Sequence, residues 1–284
     1  MNERKTTTES NALEIIDPFE IFANLPFYID INRKLVNAAS LEEGQRVLDL
    51  ASGPGNISRL VVEKIGEGGW ITAVDFSQRA LAAARRNLEG IRTRIDLIKA
   101  KAEDIGKLFS ETQVGRFDAV IVGNAIHNFD NKGDVIEGIS KLLKRGGLFV
   151  FNSAFFDGAV PQPESRLYRL WMVIANKLAR EAEGEGENSA KRAVARNLLK
   201  PIEYEDVLKA HGFNVKSQIF EKVDMEVEDF VAISCDDEFV QGTLSKYSLE
   251  TAKRALIEGV RRAFGQLKLS ASRRIWIQMV AEKV

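Results

Sequence analysis

Residues 47–56, V-L-D-L-A-S-G-P-G-N, restrict what this chain can fold into more than any other stretch of its 284 residues. A short apolar run meets an acid, then two glycines one residue apart, then the start of a helical pattern. Such a run, bounded by turn residues, reads as a buried strand feeding a helix. Gly53 and Gly55, with the small Ala51 before them, let the backbone turn sharply and leave main-chain N–H groups open to a ligand. Asp49 narrows the kind of ligand. A carboxylate at the strand end repels a phosphate and favours an ammonium or sulfonium charge.

The rhythm that follows fixes the fold class. Strands are expected at residues 47–50, 70–74, 95–100, 117–122 and 148–151. Between them lie helical stripes such as Ile57, Leu60, Val61 and Ile65, then Ala80, Leu81, Ala84 and Leu88. The fourth run is nearly all apolar, as suits a central parallel strand. Two more strands are expected at 213–220 and 274–281, each after a helical stretch. The reading is α/β: a doubly wound, mostly parallel, seven-stranded Rossmann-like sheet with helical insertions after strands 5 and 6. Residues 1–43 read as a polar tail and a helical lid, with Asp17 capping and Pro18 opening the first helix. Residues 44–153 form the core, 154–200 a helical insertion, and 201–284 the rest of the core with a second insertion at 225–272. The acidic, glycine-containing stretch at 181–187 reads as a solvated loop, with another helix after it.

Composition removes several function classes. A net charge of −1 leaves no footprint for nucleic acid. Cys235 is the lone cysteine, and His127 and His211 are the two histidines. No intrachain disulfide and no Cys- or His-rich metal site is therefore expected. Asp130, Asn131 and Asp134 offer oxygens to a cation but read as caps of the next helix, so no metal is expected. No apolar run is long enough to cross a membrane, and the N-terminus is not a signal peptide, so a cytoplasmic protein is expected. Oligomeric state is left open.

Other candidate residues fall at strand ends beside the glycine loop. Asp75 ends the second strand, where a carboxylate can accept hydrogen bonds from the two ribose hydroxyls of a nucleoside. Phe76 offers a face to adenine, and Ser77 caps the next helix. Ala102 and Glu103 follow the third strand, and Asn124 ends the fourth. Ser52 and Asn56 complete the loop. A nicotinamide-binding domain also wants an acid on the second strand. However, it has no use for Asp49 beside a pyrophosphate, and Ser58 stands where its third glycine belongs.

With these residues in order, the chain resembles the class I S-adenosylmethionine-dependent methyltransferases over about residues 44–153. Within them it is most similar to small-molecule enzymes of the quinone-biosynthesis type. The acidic glycine-rich motif matches residues 49–55, the ribose acid matches Asp75, the adenine segment matches 100–104, and the fourth motif matches G-N-A-I-H-N-F at 123–129. Ala51 replaces the first loop glycine, and Ala100-Lys101-Ala102 stands where many relatives carry G-D-A. The resemblance implies S-adenosylmethionine as cofactor and in-line methyl transfer to a small, largely hydrophobic or aromatic acceptor. His127 is the candidate base for an acceptor that must lose a proton. Phe27, Tyr28, His127, Phe155, Phe156, Tyr168 and Trp171 are the expected acceptor contacts. The alternatives are a non-catalytic cofactor-binding or scaffold module, and an NAD(P)-dependent oxidoreductase.

Overall fold

The computed structural model describes residues 18–109, 115–184 and 198–284. Two helices open it, α1 (Pro18–Ala23) and α2 (Pro26–Ala38). Pro26 takes the first position of α2, where a missing N–H costs nothing, with Leu25 extended before it. Asp17 lies outside the described residues, as do most of the acidic loop's glycine end and of the helix expected before residue 200.

The alternation then runs β1 (Arg46–Leu50), α3 (Asn56–Ile65), β2 (Trp70–Asp75), α4 (Gln78–Asn87), β3 (Arg94–Lys99), α5 (Ile105–Leu108), β4 (Phe117–Gly123), α6 (Lys132–Leu142) and β5 (Leu143–Ser153). After it come α7 (Ser165–Glu183), α8 (Pro201–Ala210), β6 (Phe213–Glu226), α9 (Val227–Ile233), α10 (Asp237–Thr243), α11 (Leu249–Leu267) and β7 (Ala271–Lys283). The seven strands form one sheet in the order β3-β2-β1-β4-β5-β7-β6. The first five pair in parallel, and β7 runs antiparallel to both β5 and β6. The chain reverses its direction of winding between β1 and β4. A crevice therefore opens at their carboxyl ends, where open α/β sheets bind ligands.

Strand periodicity sorts the core into two layers. Leu48, Leu50, Val120, Val122, Phe149 and Phe151 pack against α6 and α8. Val47, Ile71, Ala73, Ala119, Ile121 and Val150 pack against α2 and α3. Asp49 alternates with Leu48 and Leu50, so it falls on the second face, beneath α3.

A third cluster forms a helical cap from α1, α7, α9, α10 and α11, with Met225 and Trp276 from the ends of the β6–β7 hairpin. Small residues let α7 and α11 approach closely. A Cβ on Gly259 would lie 3.0 Å from the Ala175 Cβ, and Trp171 Nε1 donates to the Leu256 carbonyl at 2.8 Å. Glu183 closes the pair by accepting from the Ser248 N–H and hydroxyl at the start of α11.

Three strands run longer than the apolar pattern predicts. β5 starts at Leu143 because that residue pairs with Phe117 across an irregularity in β4–β5. β6 continues to Glu226 and β7 begins at Ala271 because Val223–Glu226 pair with Ala271–Arg274. In those hairpin ends Met225 and Ser272 are buried, and the exposed positions carry cross-strand pairs such as Arg273–Asp224. The helical part of the second insertion is correspondingly shorter than residues 225–272, running from α9 to α11.

Candidate active site

The loop from β1 to α3 is bent by three left-handed residues, Ala51 (φ 59°), Gly53 (φ 54°) and Gly55 (φ 88°). Gly53 faces a cleft of about 360 Å³, whereas Gly55 does not border it. Gly55 is needed for packing instead, since a Cβ there would sit 3.1 Å from Leu88 and 3.4 Å from Ala84. Asp75 ties this loop to the next one. Its Oδ2 accepts from Gly53 N–H and its Oδ1 from Ser77 N–H, each at 2.8 Å. Ser77 caps α4 by accepting from Ala80 N–H.

Asp49 does not border the cleft. It is fully buried behind the loop, where its Oδ2 accepts from the Ser58 hydroxyl at 2.6 Å and its Oδ1 has no partner. Burial pushes its carboxyl up to about 7; the Asp75 charge adds to this and the Ser58 hydrogen bonds oppose it. The acid thus meets the loop from below rather than facing a ligand directly.

Of the remaining expected cofactor residues, Ala51, Ser52, Asn56, Phe76, Ser77, Ala102, Glu103 and Asn124 all line the cleft with Asp75. Phe76 is 52% exposed at its mouth. Glu103 accepts from Asp130 N–H, joining the turn after β3 to the loop after β4. Asn131 caps α6 by accepting from Asp134 N–H. Asn124 adopts φ 50° at the end of β4. Its N–H reaches Asn152 Oδ1 at 2.8 Å and its Oδ1 accepts from Ala154 N–H at 2.8 Å, so the ends of β4 and β5 are locked together.

His127 lies in a short turn after β4 and is 5% exposed. Its Nδ1 is 3.0 Å from the Ser153 hydroxyl, which donates to the Phe155 carbonyl and accepts from Phe155 N–H. In the tautomer that donates from Nδ1 to this hydroxyl, Nε2 carries the imidazole lone pair. Lys132 holds the turn by donating to the His127 and Phe129 carbonyls, and burial lowers its pKa.

A second space of about 220 Å³ adjoins the cleft and is walled mainly by the cap. The two share Asn124, Phe155, Ile233 and Phe239. Tyr168 and Trp171 line this chamber, and Phe155 lines both spaces. Tyr28 lines the cleft, and burial pushes its hydroxyl above the ordinary range. Two expected acceptor contacts lie elsewhere. Phe27 packs edge-on against Trp276 with its ring outside both spaces, and Phe156 is buried in the sheet core against Phe220. Phe155 and Phe156 are neighbours in sequence, so the chain's turn sends them to opposite sides. His127 borders the cleft but not the chamber, with its ring 4.4 Å from that of Phe155 between them.

Several wall residues carry no sequence signal. Asn32 of α2 lines the cleft with its Oδ1 buried and unpartnered. Residues Asp236, Asp237 and Glu238 close the cleft's outer side, and Asp237 pairs with Arg79 and Lys253. Met225, Phe230, Arg274 and Trp276 complete the chamber. Their spacing reads as ordinary core, and the topology alone assembles them. Among the described residues there is no group of three or more His, Cys, Asp or Glu that could hold a metal ion, and no helix long and apolar enough to cross a membrane.

A family model described as a methyltransferase domain matches residues 41–196. The ubiquinone/menaquinone biosynthesis C-methyltransferase of Haemophilus ducreyi is 29% identical over 145 residues, covering 49% of this chain and 52% of the relative. The chain thus spans about half the length of the curated relative it matches. Among solved structures, phosphoethanolamine N-methyltransferase 2 of Haemonchus contortus aligns with a TM-score of 0.55 at 17% identity, over 94% of this chain and 56% of that one. The cyclase SpnF aligns with a TM-score of 0.54 at 15% identity, over 90% and 81%. At such identities the likeness is one of fold, and one fold carries more than one chemistry.

Proposed function

The chain belongs to the methyltransferase-domain family, and on that premise we propose that it transfers a methyl group from S-adenosylmethionine to a small, largely apolar acceptor. The observation that carries this reading is the chamber of about 220 Å³ sharing four wall residues with the cleft. A module that only bound a nucleoside, or served as a scaffold, has no need of a second, apolar space beside the first.

The cleft's residues fit such a cofactor. Asn32 Oδ1 and Ser52 Oγ are buried in its wall without partners, which suits a ligand that brings N–H donors. Asp75 would accept hydrogen bonds from ribose hydroxyls, Gly53 puts no Cβ into the cleft, and Phe76 and Ala102 would flank the base. When bound, S-adenosylmethionine supplies a methyl group on a positively charged sulfur, already activated to leave. This chain's residues then have mainly to position and to exclude water. The chamber's aromatic and aliphatic walls do both for an apolar acceptor. His127 Nε2, oriented through the Ser153 hydroxyl on Nδ1, is the group we assign to take a proton from an acceptor that must lose one.

Calorimetric titration with S-adenosylhomocysteine tests the cofactor half. Asp75→Ala removes charge-assisted hydrogen bonds of about 1.5–3 kcal/mol, so affinity should fall about ten- to a hundredfold. Unchanged affinity would reject the assignment of the cleft.

A further inference from the structure

The chamber's polar atoms differ in kind from those of the cleft. Arg274 is the one charged side chain in its lining. Nε and Nη2 of Arg274 both donate to the Ala154 carbonyl, and its guanidinium lies 4.6 Å from the Phe155 ring and 5.2 Å from the Tyr168 ring. Among the described residues no carboxylate pairs with it and its Nη1 makes no hydrogen bond. Two further wall residues are left incomplete. Trp276 is 2% exposed and its Nε1–H has no partner, and the Tyr168 hydroxyl is buried without one.

These groups share a polarity. A guanidinium and an indole N–H only donate, and a phenol donates readily. The lining holds no carboxylate to meet them, and the Asn124 Oδ1 is committed to Ala154 N–H. A cation held against aromatic faces in an apolar space is stabilised by an incoming anion, and a planar guanidinium matches an oxyanion best. An amine acceptor would bring a like charge, and a plain hydrocarbon would leave the donors unmet.

Building on the chamber as the acceptor site, we infer that the acceptor is an aromatic or apolar molecule bearing an oxyanion, a carboxylate or an ionised phenol. Arg274 holds that oxyanion and Trp276 and Tyr168 complete its hydrogen bonds.

Three probes that share a naphthalene ring test this: 1-naphthoate, its methyl ester and 1-naphthol. Each is titrated calorimetrically with S-adenosylhomocysteine saturating, across neutral to alkaline pH. Wild type should bind naphthoate at least tenfold more tightly than the ester. Arg274→Met should abolish that preference, and Trp276→Phe should weaken naphthoate three- to tenfold while leaving the ester unchanged. S-adenosylhomocysteine titration of each variant reports whether it is folded, and the wild-type preference tests the proposal without any variant. A preference for naphthoate that is flat with pH assigns a carboxylate; naphthol that gains affinity as it ionises, and overtakes naphthoate, assigns a phenolate. Equal binding of all three overturns the oxyanion inference and leaves the chamber as an acceptor site. Binding of none, with S-adenosylhomocysteine still bound, overturns the inference together with the chamber's role.

Discussion

Asp49→Asn isolates the cost of one buried charge. The Asp49 carboxyl is pushed from its ordinary 3.8 up to about 7, chiefly by burial. A difference of about three units corresponds to about 4 kcal/mol between the two protonation states. The sign follows from proton counting. Between pH 4 and 7 the folded protein keeps the proton on Asp49 while the unfolded chain has lost it. Stability therefore falls as pH rises through that window, by about 1.4 kcal/mol per unit, and levels off above pH 7. Asparagine has no proton to lose. Its amide also finds an unpaired position, because Asp49 Oδ1 has no donor or acceptor opposite it. The absolute stability of the variant thus shifts for a second reason, and the informative quantity is the slope.

Urea denaturation followed by circular dichroism at pH 5, 6, 7 and 8 supplies it. All other titrating groups are common to both proteins and cancel in the difference. Wild type should lose about 2–3 kcal/mol relative to Asp49→Asn between pH 5 and 7, and only about 0.3 kcal/mol more to pH 8. Parallel pH profiles would refute the argument, because they would mean that Asp49 ionises as easily inside as outside.

Gly55→Ala should destabilise the fold more than Gly90→Ala in urea denaturation. Both glycines have φ near 80–90°, each costing about 1–2 kcal/mol with a Cβ, but only Gly55 adds contacts at 3.1 and 3.4 Å, whereas Gly90 has nothing within 4 Å. Equal losses would show that Leu88 moves aside freely. His127→Gln should lower kcat about 10²-fold or more on an acceptor that must be deprotonated and leave S-adenosylhomocysteine affinity within a few-fold; full turnover would remove the base.

The cleft was legible in the sequence because its parts lie at strand ends, and strand ends announce themselves. The apolar runs at β1, β2 and β4 are buried on both faces, so their last residues had to face the crevice. Asp49 is instructive because it sits one residue too early. Period-two alternation sets it on the face of Val47, and Ser58, in place of a third glycine, was the visible sign of its partner. The chamber was not legible. It joins Phe22 to Trp276 and Tyr168 to Met225, residues whose spacing within each helix or strand is that of any core. Nothing local marks Phe155 as wall and Phe156 as core.

Backbone strain separates the site from the rest of the chain in a way no side-chain pattern does. Four non-glycine residues among those described have positive φ: Ser40, Ala51, Asn124 and Lys268. Ser40 and Lys268 follow or cap the ends of α2 and α11, where a left-handed residue is a usual way to stop a helix. Ala51 and Asn124 have no such reason. They end β1 and β4, the adjacent strands at which the sheet's winding reverses, and both line the cleft. Asn124 offsets its strain through its bonds to Asn152 and Ala154. Ala51 has no side-chain hydrogen bond to offset its own, and left-handed alanine costs about 1–2 kcal/mol. Strain retained at two neighbouring strand ends, and nowhere else among the described residues without a helix to stop, is what a backbone shaped to a ligand looks like. The acceptor chamber begins at Asn124, so the same residue fixes the seam between the two spaces.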